Sequence, residues 1–536
     1  LRFWAEGETP AGFGHELFED DLERIEENMM RAIERVPAVG KAGIKRVING
    51  PMIWSPDSNV LFGPVPELKN YFCCNGVIPG FSQSGGLGLL AAEWIIEGET
   101  KYDMFAWDVA RFGAWASKEF TKSRVGDQYA HRFSIHFPNE ERSAGRPVRT
   151  RPIYQMQKEM GAVMGLNYGW EHPLWFAETP GVKDTNGFTR QNWFEPVGKE
   201  CKMLREKAGI IDISNFAKYV VQGKKGRDWL DAVFANKMPT EVGRSCLTPL
   251  ISRRGGLAGD FTVTLIAQDE YWIFGSGMAE RYHKRFFDAV PLPEGVSFDS
   301  RTEAVCGFNV AGPLSRKILQ RLTNTSLNND NFQFMRSKRT DLAGIDVKML
   351  RVSFTGDLGW EVHCNTADQK VLYTALLETG KEFGVGAVGS RALMAMRLEK
   401  GYGSWSREYS PEYWPHEQGM DRLCKMDKDF LNKAALQAVL AQEPREQMVL
   451  LHLNEAAVTA SNADATGGEP VFKDGNGVGR VTSGAYGYSV RLSLALAMAK
   501  DVGPGDEVEV MVLGQPHKAK ILHQPPFDPT GKKQRA

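Results

Sequence analysis

Six residues, GVGAVG at 384–389, match the G-x-G-x-x-G pattern of dinucleotide-binding folds and raise the question of fold class. In such folds the glycines follow a β-strand and open a helix, so that backbone N–H groups meet a pyrophosphate. The preceding segment 371–383 instead carries Leu372, Leu376 and Leu377 at helical spacing. Because the chain has 55 glycines, a chance match is common. We therefore predict a packing role for these glycines and no nucleotide site.

Length, charge and cysteine content limit the remaining possibilities. A chain of 536 residues forms about three domains. Its 65 basic and 66 acidic side chains give a net charge of −1, so we expect no nucleic-acid or membrane partner, and we expect no signal peptide. The seven cysteines lack C-x-x-C spacing, which predicts reduced thiols and no metal site. We expect a reducing compartment, either the bacterial cytoplasm or the mitochondrial matrix.

The N-terminal part of the chain alternates predicted helices with glycine-rich turns. Residues 15–36 have amphipathic helical spacing. Residues 71–98 indicate a strand, a glycine-rich turn and a helix that starts at Ser84–Gly86. This helix would bury Leu89, Leu90, Trp94 and Ile95.

Changes in composition suggest where the domains meet. Residues 138–152 are polar and basic, which is typical of a connector, and a second large region begins near Phe194. Beyond 440–446, short strand-like runs alternate with turn signals such as DGNG and GPG, which predicts a small all-β module. We divide the chain into 1–120, 121–180, 181–440 and 441–536.

Several long segments of the first 180 residues resemble the dimethylglycine and sarcosine dehydrogenases. These segments are 48–98, RFGAW at 111–115, and 145–177. The resemblance implies that 1–120 is the C-terminal part of an FAD-dependent amine oxidoreductase domain, followed by a connector domain. The family's Rossmann motif and its active-site His and Tyr would lie upstream. Where that N-terminal half is present, the resemblance places FAD-binding residues at Gly85, Gly86, Leu87 and Gly88.

The remainder resembles the folate-binding aminomethyltransferase of the glycine cleavage system, which these dehydrogenases carry as their C-terminal half. The matching segments are 208–223, 253–263, 351–364, 384–409 and 478–490. The resemblance implies a three-lobed folate-binding domain and a C-terminal β-barrel. The fold class expected for the whole chain is α+β multidomain.

The same resemblance assigns a tetrahydrofolate site. Asp260, in RRGGLAGDFTV, corresponds to the essential aspartate, whose carboxylate can accept or orient a folate proton. From the residues alone, an aspartate after Ala-Gly is more simply explained as a turn residue. The sequence departs from the family pattern at Leu247, which replaces a tyrosine, and at Leu393, which replaces an arginine. The predicted folate-binding residues are Phe354, Glu361, Arg391, Tyr402 and Trp405.

The implied function is oxidation of a small N-methyl amine, of the dimethylglycine or sarcosine type, coupled to formation of 5,10-methylenetetrahydrofolate. The implied partners are the amine, a separate N-terminal FAD-binding chain and electron-transfer flavoprotein. Two alternatives stay open. One is a flavin-independent, folate-dependent aminomethyl or methyl transferase. The other is a non-catalytic regulatory subunit like that of pyruvate dehydrogenase phosphatase, which has no chemical need for Asp260 and Glu361.

Overall fold

The computed structural model describes residues 12–536 of the chain. The first eleven residues of the segment 1–120 that we assign to a flavin domain lie outside this range. None of the described helices is long and apolar enough to cross a membrane.

From residue 12 onward, the N-terminal part contains three α-helices and one two-stranded sheet. Its elements are α1 (Glu26–Arg35), β1 (Leu61–Pro64), β2 (Phe72–Asn75), α2 (Gly80–Glu97) and α3 (Lys118–Ala130).

The helix predicted over 15–36 is confirmed only for its second half. The Phe18 N–H donates to the carbonyl oxygen of Asn49, and the Asn49 side chain donates to the carbonyl oxygen of Glu19. Because these contacts bind the backbone to a segment thirty residues away, residues 18 and 19 are not part of the helix.

Helix α2 starts at Gly80, so the prediction that it starts at Ser84–Gly86 is wrong by about one turn. The predicted buried face is also partly wrong. Leu87, Leu90 and Trp94 pack together in one apolar cluster, but Leu89 and Ile95 are 56% and 64% exposed. Helix α2 therefore presents an apolar surface outward as well as inward.

The central part of the chain forms two large sheets. Its elements are α4 (Tyr154–Glu159), β3 (Ala162–Asn167), β4 (Trp170–Phe176), α5 (Phe194–Glu206), β5 (Gly209–Asp212), β6 (Ala217–Gln222), α6 (Gly226–Val233), β7 (Ser245–Ile251), β8 (Leu257–Ala267), β9 (Glu270–Gly275), α7 (Glu280–Asp288), β10 (Ser297–Ser300), β11 (Val305–Ala311), α8 (Ser315–Gln320), β12 (Ser337–Leu342), β13 (Ile345–Leu350), β14 (Gly359–Asn365), α9 (Gln369–Lys381), β15 (Gly386–Val388), α10 (Ser390–Glu399) and α11 (Lys433–Leu440).

The first large sheet has the strand order β10-β6-β9-β8-β7, and the second has the order β12-β13-β14-β11-β5-β15. All neighbouring strands are antiparallel except β15 and β5, which run parallel. Helices α6 and α7 cover one face of the first sheet, and α8 and α9 cover one face of the second. The other faces pack against each other through residues that include Trp272, Phe274 and Leu350.

The C-terminal part is a closed barrel with the strand order β16-β19-β18-β17-β20-β21, formed by the elements β16 (Gln447–Leu453), α12 (Glu455–Ser461), β17 (Pro470–Lys473), β18 (Asn476–Gly487), β19 (Leu492–Ala499), β20 (Glu507–Val512) and β21 (Gln515–Ile521), with a short helix α13 (Lys532–Arg535) after it. Alternate residues of β16, such as Val449, Leu451 and Leu453, fill its core. The predicted all-β module is confirmed.

The GVGAVG segment joins α9 to α10 through the short strand β15. Helix α9 precedes the first glycine, as predicted, and Gly384 turns the chain with a φ of +67°. At Gly389 a side-chain Cβ would lie 2.2 Å from the carbonyl oxygen of Leu174 in β4. Glycine is required there because the start of α10 packs directly against the backbone of β4.

Candidate functional site

The predicted catalytic Asp260 lies within strand β8, so it is not the turn residue that the residues alone suggested. The turn that precedes the strand is at Gly255, where φ is +81°. Asp260 is half-buried and lies opposite Pro249 in β7. Thr262, two residues further, lies opposite Phe274 in β9. Since side chains alternate along a strand, Asp260 and Phe274 share the face that meets the second sheet.

Glu361 lies on the facing side of the second sheet. It is opposite Asn309 in β11, and Asn309 is opposite Ile211 in β5, so the three side chains form a row across the sheet. His363 is two residues from Glu361, with its Nε2 3.5 Å from a Glu361 carboxylate oxygen. The His363 ring stacks on Phe274, with 4.4 Å between ring centroids. Asp260 and Glu361 therefore lie on the two sheet faces that meet, and we call the region where these faces meet the cleft.

An aromatic wall borders this cleft. Phe354, in the loop between β13 and β14, packs in the same cluster as Ile211. Its ring stacks on Tyr402 at 5.9 Å between centroids and an interplanar angle of 21°. The Tyr402 hydroxyl donates to the side-chain oxygen of Gln534, at 3.1 Å. Two of the predicted folate-binding residues thus form one stacked pair.

Two other predicted folate-binding residues are not brought to the cleft. The Arg391 guanidinium forms a bidentate ion pair with Asp184, one of its hydrogen bonds being 2.9 Å long. Trp405 is buried, and its ring contacts Phe105, Tyr282 and His283. Leu393, in contrast, lies in the apolar cluster that includes Phe354.

The electrostatic environment of Asp260 suits proton transfer near neutral pH. Burial raises the pKa of its carboxyl group to about 6, and a hydrogen bond from its own backbone opposes part of that rise. Tyr409 is close enough that burial and the Asp260 charge both raise the pKa of its hydroxyl. A carboxyl group with a pKa close to the ambient pH can both take up and return a proton.

Two arginines with buried side chains hold the loops of the site in place. Arg397 is paired with Glu408 at 2.8 Å, and Glu408 also accepts from the backbone N–H of Ser404. This pair fixes the segment 402–409, which carries Tyr402. Arg205 pairs with Asp357, in the loop that carries Phe354, and with Glu399 of α10 at 2.7 Å. The adjacent residues Arg397, Leu398 and Glu399 thus supply one partner to each of these two sets of ion pairs, Arg397 to the first and Glu399 to the second. This role was not predicted from the sequence.

The cleft has the chemistry expected of a site for a polar heterocycle. Asn309 is buried, and its side-chain oxygen has no hydrogen-bond partner among residues 12–536. Within the same range, neither ring nitrogen of His363 has one. Burial lowers the pKa of His363, which favours the neutral imidazole, and the nearby Glu361 opposes part of that shift. These groups and the half-buried Glu361 fit a ligand such as the folate pterin ring, which is rich in both donors and acceptors.

The residues predicted to bind FAD lie inside helix α2 and not at its start. Gly85, Gly86 and Gly88 lie on the open side of α2, and Leu87 is buried beneath them. Because the helix starts at Gly80, the N–H groups of Gly85–Gly88 are bonded within the helix and cannot be donated to a flavin. Among residues 12–536, no neighbouring atom lies within 4 Å of a Cβ built at Gly85, Gly86 or Gly88, so the helix surface is open at these glycines.

Comparison with known proteins decides the family. The model of the GCVT N-terminal domain matches residues 153–428, which is just over half of the chain. The chain belongs to the GCVT family. Two further models match on either side of this one. They are the FAD dependent oxidoreductase central domain, over residues 97–150, and the glycine cleavage T-protein C-terminal barrel domain, over residues 447–528.

Relatives of this GCVT-family chain include two mitochondrial dehydrogenases from Mus musculus. The chain is 35% identical to dimethylglycine dehydrogenase, over 97% of its own length and 60% of that protein. It is 28% identical to sarcosine dehydrogenase, over 99% of its length and 63% of that protein. The chain therefore spans about three fifths of the relatives that it matches. The family resemblance predicted from the sequence is confirmed.

A solved structure supports the fold. The glycine cleavage system aminomethyltransferase T from Bartonella henselae superposes with a TM-score of 0.62 at 21% identity. The match covers 72% of this chain and 99% of that one. The α+β multidomain fold class, with an aminomethyltransferase-like part and a C-terminal barrel, is confirmed.

Proposed function

We propose that the chain is the folate-binding part of an N-methyl amine dehydrogenase that acts on an amine of the dimethylglycine or sarcosine type. Its product is 5,10-methylenetetrahydrofolate. The observation that carries the proposal is the pair of carboxylates, Asp260 and Glu361, which open onto one cleft with an aromatic wall. The names of the relatives support the same activity.

Each residue of the cleft has a distinct role in this proposal. Glu361 accepts hydrogen bonds from the N–H groups of the pterin ring, and the ring lies against Phe354 and Tyr402. Tetrahydrofolate, when bound, supplies the nitrogen that captures the one-carbon unit. Asp260 accepts the proton that this nitrogen loses. A carboxyl group with a raised pKa can accept and carry a proton near neutral pH. Arg391 and Trp405 act outside the cleft, as supports of the connector and of the 402–409 segment.

Amine oxidation requires FAD, which supplies the two-electron oxidation when bound. The proposed partners are an FAD-binding portion or separate chain, electron-transfer flavoprotein and the amine itself. The outward apolar surface of α2 supports such a partner. All seven cysteines are free thiols, which supports a reducing location in a bacterial cytoplasm or a mitochondrial matrix.

The test is calorimetric titration of the full chain with tetrahydrofolate. We expect Glu361→Gln to weaken binding by about 1–3 kcal/mol, because a charged acceptor is replaced by an amide. Asp260→Asn should bind folate but lose formation of methylenetetrahydrofolate from formaldehyde by about 10²–10⁴-fold.

Wild-type protein that fails to bind tetrahydrofolate would contradict the proposal and favour a regulatory subunit. Full one-carbon transfer from an aminomethyl donor, with no flavin and no oxidation, would favour the transferase instead.

A further inference from the structure

Asn309 is the one buried polar side chain of the Ile211-Asn309-Glu361 row that the proposed function does not use. It is 3% exposed and lies directly opposite Glu361 on the neighbouring strand. Directly opposite residues of antiparallel strands have Cβ atoms about 4.5–5.5 Å apart. A ligand that contacts Glu361 is therefore within reach of Asn309.

The orientation of the Asn309 amide is set by the backbone around it. Its Nδ2 lies 3.4 Å from the carbonyl oxygens of Val352 and Trp360. Because carbonyl oxygens only accept hydrogen bonds, the NH₂ end of the amide must face them. The Oδ1 end is thereby directed away from this backbone, and it has no partner among the described residues.

The neighbours of Asn309 along the row cannot satisfy this oxygen. Ile211 flanks it on β5, and on the other side Glu361 is followed by Leu350 of β13. Glu361, when ionised, is an acceptor and has no proton to donate. Next to it, Gly307 has no side chain because the His363 ring occupies that space. A buried carbonyl oxygen without a donor costs free energy, so a donor supplied from outside the protein is favoured.

We infer that Asn309 and Glu361 together form a site that accepts three hydrogen bonds and so selects a 2-amino-substituted pteridine ring. This inference rests on the proposed function. A pterin presents a ring N–H and an exocyclic NH₂ group along one edge. Glu361 accepts the ring N–H and one amino hydrogen, as a carboxylate can accept two parallel bonds. Asn309 Oδ1 accepts the second amino hydrogen. Asn309 thus contributes to recognition of the 2-amino group. Glu361 contacts only one amino hydrogen and by itself discriminates less strongly against a ring that lacks this group.

The experiment compares tetrahydrofolate with the analogue that has hydrogen in place of the 2-amino group. Both are titrated by calorimetry into the full chain, its Asn309→Leu variant and its Asn309→Ser variant. Leucine has the same branching at Cγ as asparagine but is bulkier and has no acceptor, whereas serine is smaller and keeps one. Asn365→Leu, at an exposed asparagine of β14, is the matched control.

We expect Asn309→Leu to weaken tetrahydrofolate binding by about 10–100-fold and to change binding of the analogue by less than about threefold. Asn309→Ser should lose less than Asn309→Leu, and Asn365→Leu should lose nothing. If Asn309→Leu fails to fold, Asn309→Ser still decides, because its loss must be larger for tetrahydrofolate than for the analogue.

Three outcomes would overturn the inference. Unchanged tetrahydrofolate binding in both Asn309 variants, with a loss in Glu361→Gln, would leave the proposed function intact and remove Asn309 from the site. Equal losses for tetrahydrofolate and the analogue would show that Asn309 only supports the fold. Absence of binding in the wild-type chain would remove the proposed function itself.

Discussion

The negative charge of Asp260 destabilises the fold but is useful for proton transfer. Its carboxyl group is desolvated between two sheets, which raises its pKa from 3.8 to about 6. A carboxyl group with a raised pKa in the folded state is destabilising when it is ionised. The folded chain is therefore less stable at neutral pH than it would be without this charge. Such a destabilising position is common for groups that transfer protons to or from a ligand.

This cost gives a prediction that depends on pH. Between about pH 4 and pH 6 the folded state binds more protons at Asp260 than the unfolded state, so stability falls as the pH rises through this window. Asp260→Asn removes the charge and should raise the free energy of unfolding at pH 7.5 by about 1–2 kcal/mol. The gain should vanish near pH 4, where the wild-type carboxyl is protonated. Urea unfolding at both pH values measures it, and a variant that is less stable at pH 7.5 would contradict the assignment.

At the scale of elements, the start of α10 shows how a glycine can be fixed by packing. Gly389 meets the backbone of β4, and its N–H donates to Glu200 at 2.7 Å. Glu200 also accepts from the N–H of Phe176 at the end of β4. Burial raises the pKa of Glu200 to about 8, although the two backbone hydrogen bonds of this link between strand and helix oppose part of the rise.

We expect Gly389→Ala to destabilise the chain by about 2–3 kcal/mol, because its Cβ would overlap the carbonyl group of Leu174. Gly386→Ala is the matched control from the same motif. Its Cβ would lie 3.9 Å from the Met203 sulfur, an ordinary contact, so its effect should stay below about 0.5 kcal/mol. Thermal unfolding of both variants tests the packing role. Equal effects at the two glycines would contradict it.

The sequence predicted the elements better than it predicted their partners. The barrel could be predicted because alternation and turn signals are local. The start of α1 could not be predicted, since Phe18 is bonded to Asn49, which is 31 residues further along the chain. The family resemblance identified Asp260 and Glu361, but Asn309 matched no motif. Its role depends on the register of β11 with β14, and the pairing of strands fifty residues apart is not encoded in local periodicity.

At the scale of the whole molecule, the connector is part of the core. Ile153 is fully buried with the residues of the second sheet, and Trp175 of β4 packs with those of α5 and α10. The Arg151 guanidinium donates to the carbonyl oxygens of Ser214 and Thr302. The sequence suggested a folate-binding domain from 181 onward, and these contacts lead us to propose that the folding unit begins before Arg151.

Two fragments separate these possibilities. Residues 145–536 should fold, unfold in a cooperative transition and bind tetrahydrofolate as the full chain does. Residues 181–536 lack Trp175 and the β3–β4 pair, and loss of one buried tryptophan alone costs about 3–5 kcal/mol. We therefore expect this shorter fragment to melt at a lower temperature or to aggregate. Equal melting temperatures for the two would place the boundary near 181.

Alternate side chains of strand β14 face either the core or the cleft. Trp360, Val362 and Cys364 face the core under α8 and α9, whereas Glu361 and His363 face the cleft. Point substitutions on the cleft face leave the core untouched, so a lineage with this fold can change its ligand one residue at a time. Insertion or deletion of a single residue would exchange the two faces and disrupt both the core and the cleft. We therefore expect related chains to differ in the residues on the cleft face of this strand but not in the length of the strand.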